Sequence, residues 1–272
     1  MPIPPQNLNE FSSLVQLIKD LRGPEGCEWD KKQTHHSLSP YAIEETFEMV
    51  EAIESGTDTD MCEELGDVLF QVLIHAQLAA ERNAFQISDV IKSISEKLVR
   101  RHPHVFSNVK VTSTTDIINN WELIKAEEKK LKNKKSPVFN IPKGLPALQA
   151  AEKIGDKTNQ YKFDWTEVKD VLAQLKSEIT ELEDVIQNDP ENKKHLIHET
   201  GDVLFSAAQV ARHLSIEPES ALRSANTRFS NRFLGMLSEC GDDLQKFISL
   251  SENEKEALWA KVKEQFAKDS PE

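Results

Sequence analysis

The pentapeptide Gly-Asp-Val-Leu-Phe occurs twice, at residues 66–70 and 201–205, and its surroundings are repeated with it. "EELGDVLFQVLIHA" is answered by "HETGDVLFSAAQVA", and the preceding "AIEETFEMVEAI" by "LKSEITELEDVI". Downstream, "EKLVRRHPHVF" is answered by "NTRFSNRFLGM", and "NWELIKAEE" by "LWAKVKEQF". Even the entries correspond: Trp29-Asp30 stands before the first copy and Asp164-Trp165 before the second. Order and gaps are kept throughout, which is the signature of a tandem duplication. Any fold for this chain must therefore be built from a unit of about half its length. The breaker-rich stretch "SPVFNIPKGLP", with three prolines and a glycine, separates the copies. It predicts domains at residues 1–135 and 146–272, joined by a linker at about 136–145.

Each copy reads as helical. In "IEETFEMVEAIES", Ile43, Phe47, Met49, Val50 and Ile53 recur at the spacing of one buried helical stripe. Ser39 as N-cap with Pro40 in the first turn predicts a helix from about residue 39 to Gly56. A second is predicted from about Asp60 to Glu81. A third ends before Pro103, and a fourth opens with a Ser113/Asp116 capping pattern. Nine glycines in 272 residues leave few sharp turns, so the elements are long. The fold class expected is all-α, two tandem units resembling four-helix bundles. Gly66 and Gly201 interrupt helices at a cost of about 1 kcal/mol each relative to alanine. Close approach of another helix or of a ligand would explain both; retention from an ancestral unit is the alternative.

No run reaches the length of an uncharged membrane span, and "MPIPPQNLNEF" lacks the basic flank and apolar core of a secretion signal. Three cysteines without a CxxC pair argue against a disulfide framework or zinc site and for the reducing cytoplasm. A formal net charge of -13 repels nucleic-acid backbones, so no nucleic-acid partner is expected, and without an apolar span no membrane partner is expected either. A small phosphorylated ligand stays compatible wherever basic residues gather locally.

The carboxylates carry the chemistry. Glu45 and Glu48 lie three residues apart, as do Glu64 and Asp67, and the second copy has Glu178 and Glu181, then Glu199 and Asp202. Residues at i and i+3 share a helix face. Two such helices packed antiparallel gather four carboxylates, which repel by several kcal/mol even at an effective dielectric of about 20. A divalent cation offsets that. Hard oxygen donors suit Mg²⁺, with Mn²⁺ as a substitute, better than zinc, copper or iron. A di-iron bundle would need Glu-x-x-His, which neither copy has at these positions. The alternative is a solvated acidic face, which Glu51, Glu54, Glu183 and Asp184 fit.

Behind each cluster come basic and aromatic residues: Lys97 and Arg101, then Trp121 and Lys125; Arg228 and Arg232, then Trp259 and Lys263. Arginine and lysine one turn apart can clamp phosphate oxygens, and a tryptophan one turn before a lysine could stack a base. His35, His36, His102 and His104 are weak candidates for catalysis, and "KAEEKKLKNKK" reads as a solvated helix end. No phosphate-binding glycine loop or Ser/His/Asp arrangement is present.

Taken together, "GCEWDKKQTH", "EETFE", "ELGDVLFQV", "RRHPHVF", "IPKGLPAL" and "FDW" resemble the MazG nucleoside triphosphate pyrophosphohydrolases over nearly the whole chain. The resemblance implies tandem all-α domains, a homodimer, Mg²⁺ dependence and hydrolysis of nucleoside triphosphates to monophosphate and pyrophosphate with broad base tolerance. It credits hydrolysis to the second domain. Metal ligation and catalysis then fall on Glu178, Glu181, Glu199 and Asp202, and nucleotide contacts on Arg228, Arg232, Trp259 and Lys263. Ser177 and His198 depart from the family, which has glutamate there; the first copy keeps Glu44 and Glu63 at those places. A non-catalytic nucleotide or alarmone sensor, and a helical scaffold with vestigial sites, are the rival readings.

Overall fold

A computed structural model describes residues 1–131 and 140–269, so the first part of the expected linker, up to residue 139, lies outside the described residues. The chain divides into two compact units, residues 1–133 and 134–272. Among the described residues the regular elements are all helices. Unit one contains α1 (Phe11–Leu21), α2 (Glu28–Lys32), α3 (His35–Ser55), α4 (Asp58–Glu81), α5 (Ile87–Arg101), α6 (Pro103–Phe106) and α7 (Thr114–Leu131). Unit two contains α8 (Ala147–Gln160), α9 (Val168–Asn188), α10 (Lys193–His213), α11 (Pro218–Glu239), α12 (Leu244–Ser249) and α13 (Glu252–Asp269). Leaving α2 aside, the order of the two units corresponds helix for helix.

The central pair in unit one is α3 against α4, turned back on itself through Gly56 and Thr57; in unit two it is α9 against α10. Thr57 caps α4 and Asp60 returns the bond, a reciprocal box that satisfies two otherwise orphaned amides. In unit one, α1 and α5 pack on α4, burying Ile18, Leu38, Leu73, Ile74 and Leu78 together. Full burial of each such side chain contributes about 1.5–3 kcal/mol. In unit two, α8 packs on α10 and α11, and α13 on α11.

The start of α3 differs from expectation. It begins at His35, with Thr34 as N-cap and Ser37 completing the capping box, so Pro40 lies inside the helix. Pro40 cannot donate to the carbonyl of His36, and the Ser39 hydroxyl donates to that carbonyl instead, at 2.8 Å. The Ser-Pro pair that reads as a helix start is thus a locally repaired interior. The capping pattern of α7 is as expected: Asp116 accepts from the Ser113 amide at 3.1 Å, and the Asp116 amide donates to the Ser113 hydroxyl at 3.1 Å.

The apolar stripe of α3 is only half covered. Leu38 and Ala52 are its buried residues, Met49 and Val50 are half-buried, and Ile43, Phe47 and Ile53 are exposed. Leu65 and Leu69 on α4, and Ile179, Ile186 and Leu204 on the matching pair, are exposed as well. Helix α5 buries none of its residues, although Ile91, Ile94 and Leu98 form an apolar face. Periodicity identified apolar positions; it carried no information about what covers them.

Candidate metal and nucleotide site

Antiparallel packing of α3 and α4 brings one oxygen each of Glu45, Glu48 and Glu64 within 4.8 Å of one another. The α9–α10 pair does the same with Glu178, Glu181 and Glu199. The two fourth members differ in their surroundings. Asp67 is close enough to raise the pKa of both Glu45 and Glu64 by its charge. Asp202 instead joins Glu199 and His198 in a separate group of three.

Burial is the first cause that lifts the Glu45 carboxyl above its ordinary value, followed by the charges of Asp67 and Glu48. Burial also leads at Glu64, followed by Glu48, Asp67 and Glu63. Opposing this at Glu45 is the amide of Gln71, 3.5 Å away, whose own Oε1 is buried without a partner. In unit two the carboxylates have closer neutral or basic neighbours. Gln174 donates to Glu178 at 2.7 Å and Ser177 to Glu181 at 3.1 Å. His195 Nε2 is 3.3 Å from Glu199, and His198 Nδ1 is 3.0 Å from Asp202. The two sites thus share a plan and differ in local charge compensation.

The basic and aromatic candidates form their own clusters on α5–α7 and α11–α13. The Lys125 ammonium lies 3.6 Å from the centroid of the Trp121 ring, and the Arg101 guanidinium 5.9 Å from it. Lys97 is exposed one turn before Arg101. In unit two Arg232 stands 5.9 Å from the Trp259 ring, Phe229 packs beside that ring at 5.2 Å, and Arg228 donates to Ser224 at 2.6 Å. Lys263 is exposed. One residue changes the expected picture: Glu128, inside the stretch read as a solvated helix end, is held by Arg101 at 2.5 Å and Arg100 at 2.6 Å. Hydrogen bonds from Arg101 and then Arg100 bring its pKa down to about 2. Residues 132–135 of that stretch lie outside the described residues.

The glycines divide by function. A Cβ at Gly66 or Gly201 would meet nothing within 4 Å, so the close approach expected there is not made by the described residues of this chain. Gly155, which sequence reasoning passed over, is the crowded one: a Cβ would lie 2.0 Å from Gln209 Oε1 and 2.4 Å from Arg212 Nε. Arg212 in turn binds Asp164 of the "FDW" motif at 2.7 Å, with His213 at 3.0 Å from the same oxygen. The motif aspartate thereby ties the loop before α9 to the end of α10. Of the weak histidines, His35 stacks on His75 with Nδ1 atoms 2.8 Å apart, and burial first, then His35, holds the His75 pKa down.

The MazG nucleotide pyrophosphohydrolase domain matches this chain twice, at residues 33–106 and 166–234. The chain belongs to the MazG family. The two matches span α3–α5 with Lys97 and Arg101, and α9–α10 with Arg228 and Arg232. A nucleoside triphosphate pyrophosphohydrolase/pyrophosphatase MazG of Thermotoga maritima is 44% identical over 253 residues, 93% of this chain and 95% of that protein. A nucleoside triphosphate pyrophosphohydrolase of Escherichia coli K12 is 37% identical over 267 residues, 95% of this chain and 98% of that one. YabN of Bacillus subtilis is 43% identical over 256 residues, which make up 52% of its length. Among the described residues no helix of this MazG chain is long and apolar enough to cross a membrane.

Proposed function

We propose that this chain is a nucleoside triphosphate pyrophosphohydrolase, converting NTP or dNTP and water to the monophosphate and pyrophosphate, with unit two as the principal site. The observation that carries the reading is the convergence, twice, of three carboxylates from antiparallel helices within 4.8 Å, in a member of this family. So many anionic oxygens in one place need a counter-charge. The oxygen donor set fits Mg²⁺, or Mn²⁺ in its place, held by Glu178, Glu181, Glu199 and Asp202 in unit two and by Glu45, Glu48, Glu64 and Asp67 in unit one. Bound there, such an ion would neutralise triphosphate charge and make the attacking water more acidic.

The chain's own groups do the rest. One carboxylate of the cluster would accept the proton of a water that attacks a phosphorus of the α–β bridge, breaking a P–O bond of that bridge to give the monophosphate and pyrophosphate. Arg228, Arg232 and Lys263 hold the departing pyrophosphate oxygens, arginine being suited to two at once. Trp259, half-buried against Phe229, offers a ring face to the base; a face reads no base edge, in keeping with broad base tolerance. Lys97, Arg101, Trp121 and Lys125 stand in the same roles in unit one. The exposed apolar faces of α3 and α5 support a homodimer in which a second copy covers them. Free cysteines at 27, 62 and 240 suit a reducing cytoplasm.

The test is pyrophosphate release over a panel of ribo- and deoxynucleoside triphosphates, with and without chelator. Metal-dependent turnover is expected. Stoichiometric nucleotide uptake without pyrophosphate would identify a sensor and overturn the reading.

A further inference from the structure

His198 stands where unit one has Glu63, immediately before the buried Glu199. Its Nδ1 is 3.0 Å from Asp202 Oδ2 and 3.4 Å from Glu199 Oε1. One ligand atom from each of the three residues lies within 4.8 Å of the other two. Two ligands each about 2.1 Å from one cation are about 3.0 Å apart at a right angle and about 3.4 Å apart at the tetrahedral angle. The observed separations fit groups that share an ion. Glu199 also belongs to the group with Glu178 and Glu181. One buried carboxylate is therefore common to an all-oxygen donor set and a mixed nitrogen–oxygen set.

We propose that His198, Glu199 and Asp202 form a second cation position in unit two, with the His198 imidazole as a direct ligand, and that this position favours Mn²⁺ or another first-row transition ion over Mg²⁺. The inference rests on the assignment of the unit-two carboxylates to a cation. Mg²⁺ demands hard oxygen ligands, whereas imidazole binds first-row transition ions well. Replacing a carboxylate by a neutral ring also removes one negative charge from the set. That lowers its electrostatic attraction for any dication, leaving ligand chemistry to select among them. His195, one turn earlier, has Nε2 3.3 Å from the same Glu199 Oε1 and is placed to orient that carboxylate. Unit one, with Glu63 in the corresponding place and Glu45, Glu48 and Glu64 as its donors, keeps a hard-ion set.

An ordinary His198–Asp202 ion pair would show similar distances without any ion, so the test must read the metal's own coordination. Full-length protein carrying Glu45→Gln and Glu64→Gln, so that bound Mn²⁺ reports unit two, is loaded with Mn²⁺ in the absence of nucleotide. Pulsed EPR then reads ¹⁴N coupling to the ion. The coupling is expected in this background, absent after His198→Glu or His198→Gln, and retained after His195→Gln. Calorimetry is expected to show the Mn²⁺-over-Mg²⁺ preference falling in His198→Glu. No nitrogen coupling, or coupling that survives both His198 substitutions, overturns the proposal. The underlying site assignment fails separately: Mn²⁺ binding in unit two unaffected by Glu178→Gln and Glu199→Gln would remove the carboxylate centre itself.

Discussion

At the scale of single residues, Glu199 and the glycines make the sharpest statements. Glu199 is 7% exposed and common to both donor groups of unit two, so Glu199→Gln keeps the shape and removes the charge. A loss of at least about a hundredfold in pyrophosphate release is expected, the scale of one preorganised electrostatic group; near wild-type turnover would sink the assignment. Gly201→Ala fills open space in a helix and should stabilise the chain by about 1 kcal/mol. Gly155→Ala drives a methyl into buried Gln209 and half-buried Arg212, both hydrogen-bonded, and should cost about 1–3 kcal/mol. Thermal melts read both. If Gly201→Ala melts higher yet loses turnover or association, the glycine serves a ligand or a second copy rather than this chain's packing. These contrasts show what was legible at this scale. The carboxylates stood out because acid repeats within an apolar pattern. Gly155 and Glu128 did not, because their roles depend on which distant helix lies opposite.

Between helices, the α5–α7 pairing has an electrostatic lock in Glu128. Its pKa is lowered from 4.5 to about 2 by hydrogen bonds from Arg101 and then Arg100. A depressed folded-state value means that the stabilisation is fully present above about 4.5 and is lost as pH falls towards 2. Acidification through that window should separate α7 from α5. The Trp121 ring, packed under Lys125, should report it as a fluorescence change that Glu128→Gln flattens. Of the four helices placed in unit one, three were readable from caps and breakers, while α1, α2 and α6 were not placed. The exception, α3, was misplaced at its start because a Ser-Pro pair gives the same signal at a first turn as where a serine hydroxyl repairs a proline's missing bond. The central α3–α4 and α9–α10 pairs were evident from the repeat itself, since both copies place carboxylates three apart on consecutive helices.

For the whole molecule, the division at residues 133 and 134 predicts that chains cut within the linker yield two separately folded halves. Unit two is expected to carry most of the pyrophosphate release, and unit one to bind Mg²⁺ or nucleotide with the minor share; a faster residue 1–135 fragment would reverse that assignment. Sedimentation of the intact chain should give the mass of two copies. Ile53→Glu with Ile94→Glu, at exposed positions on α3 and α5, should shift it to one copy without lowering the melting temperature by more than a few degrees. The duplication was the most legible feature of all, while the uncovered faces of α3 and α5 were invisible to a single sequence, because periodicity marks apolar positions without marking what covers them. When two sites arise from identical subunits related by symmetry, every substitution is made in both at once. Two copies written in one chain are released from that constraint: a glutamate can become His198 in one while Glu63 stays in the other. Fusion thus turns a pair of duplicates into two sites that can carry different donor sets and divide the work between them.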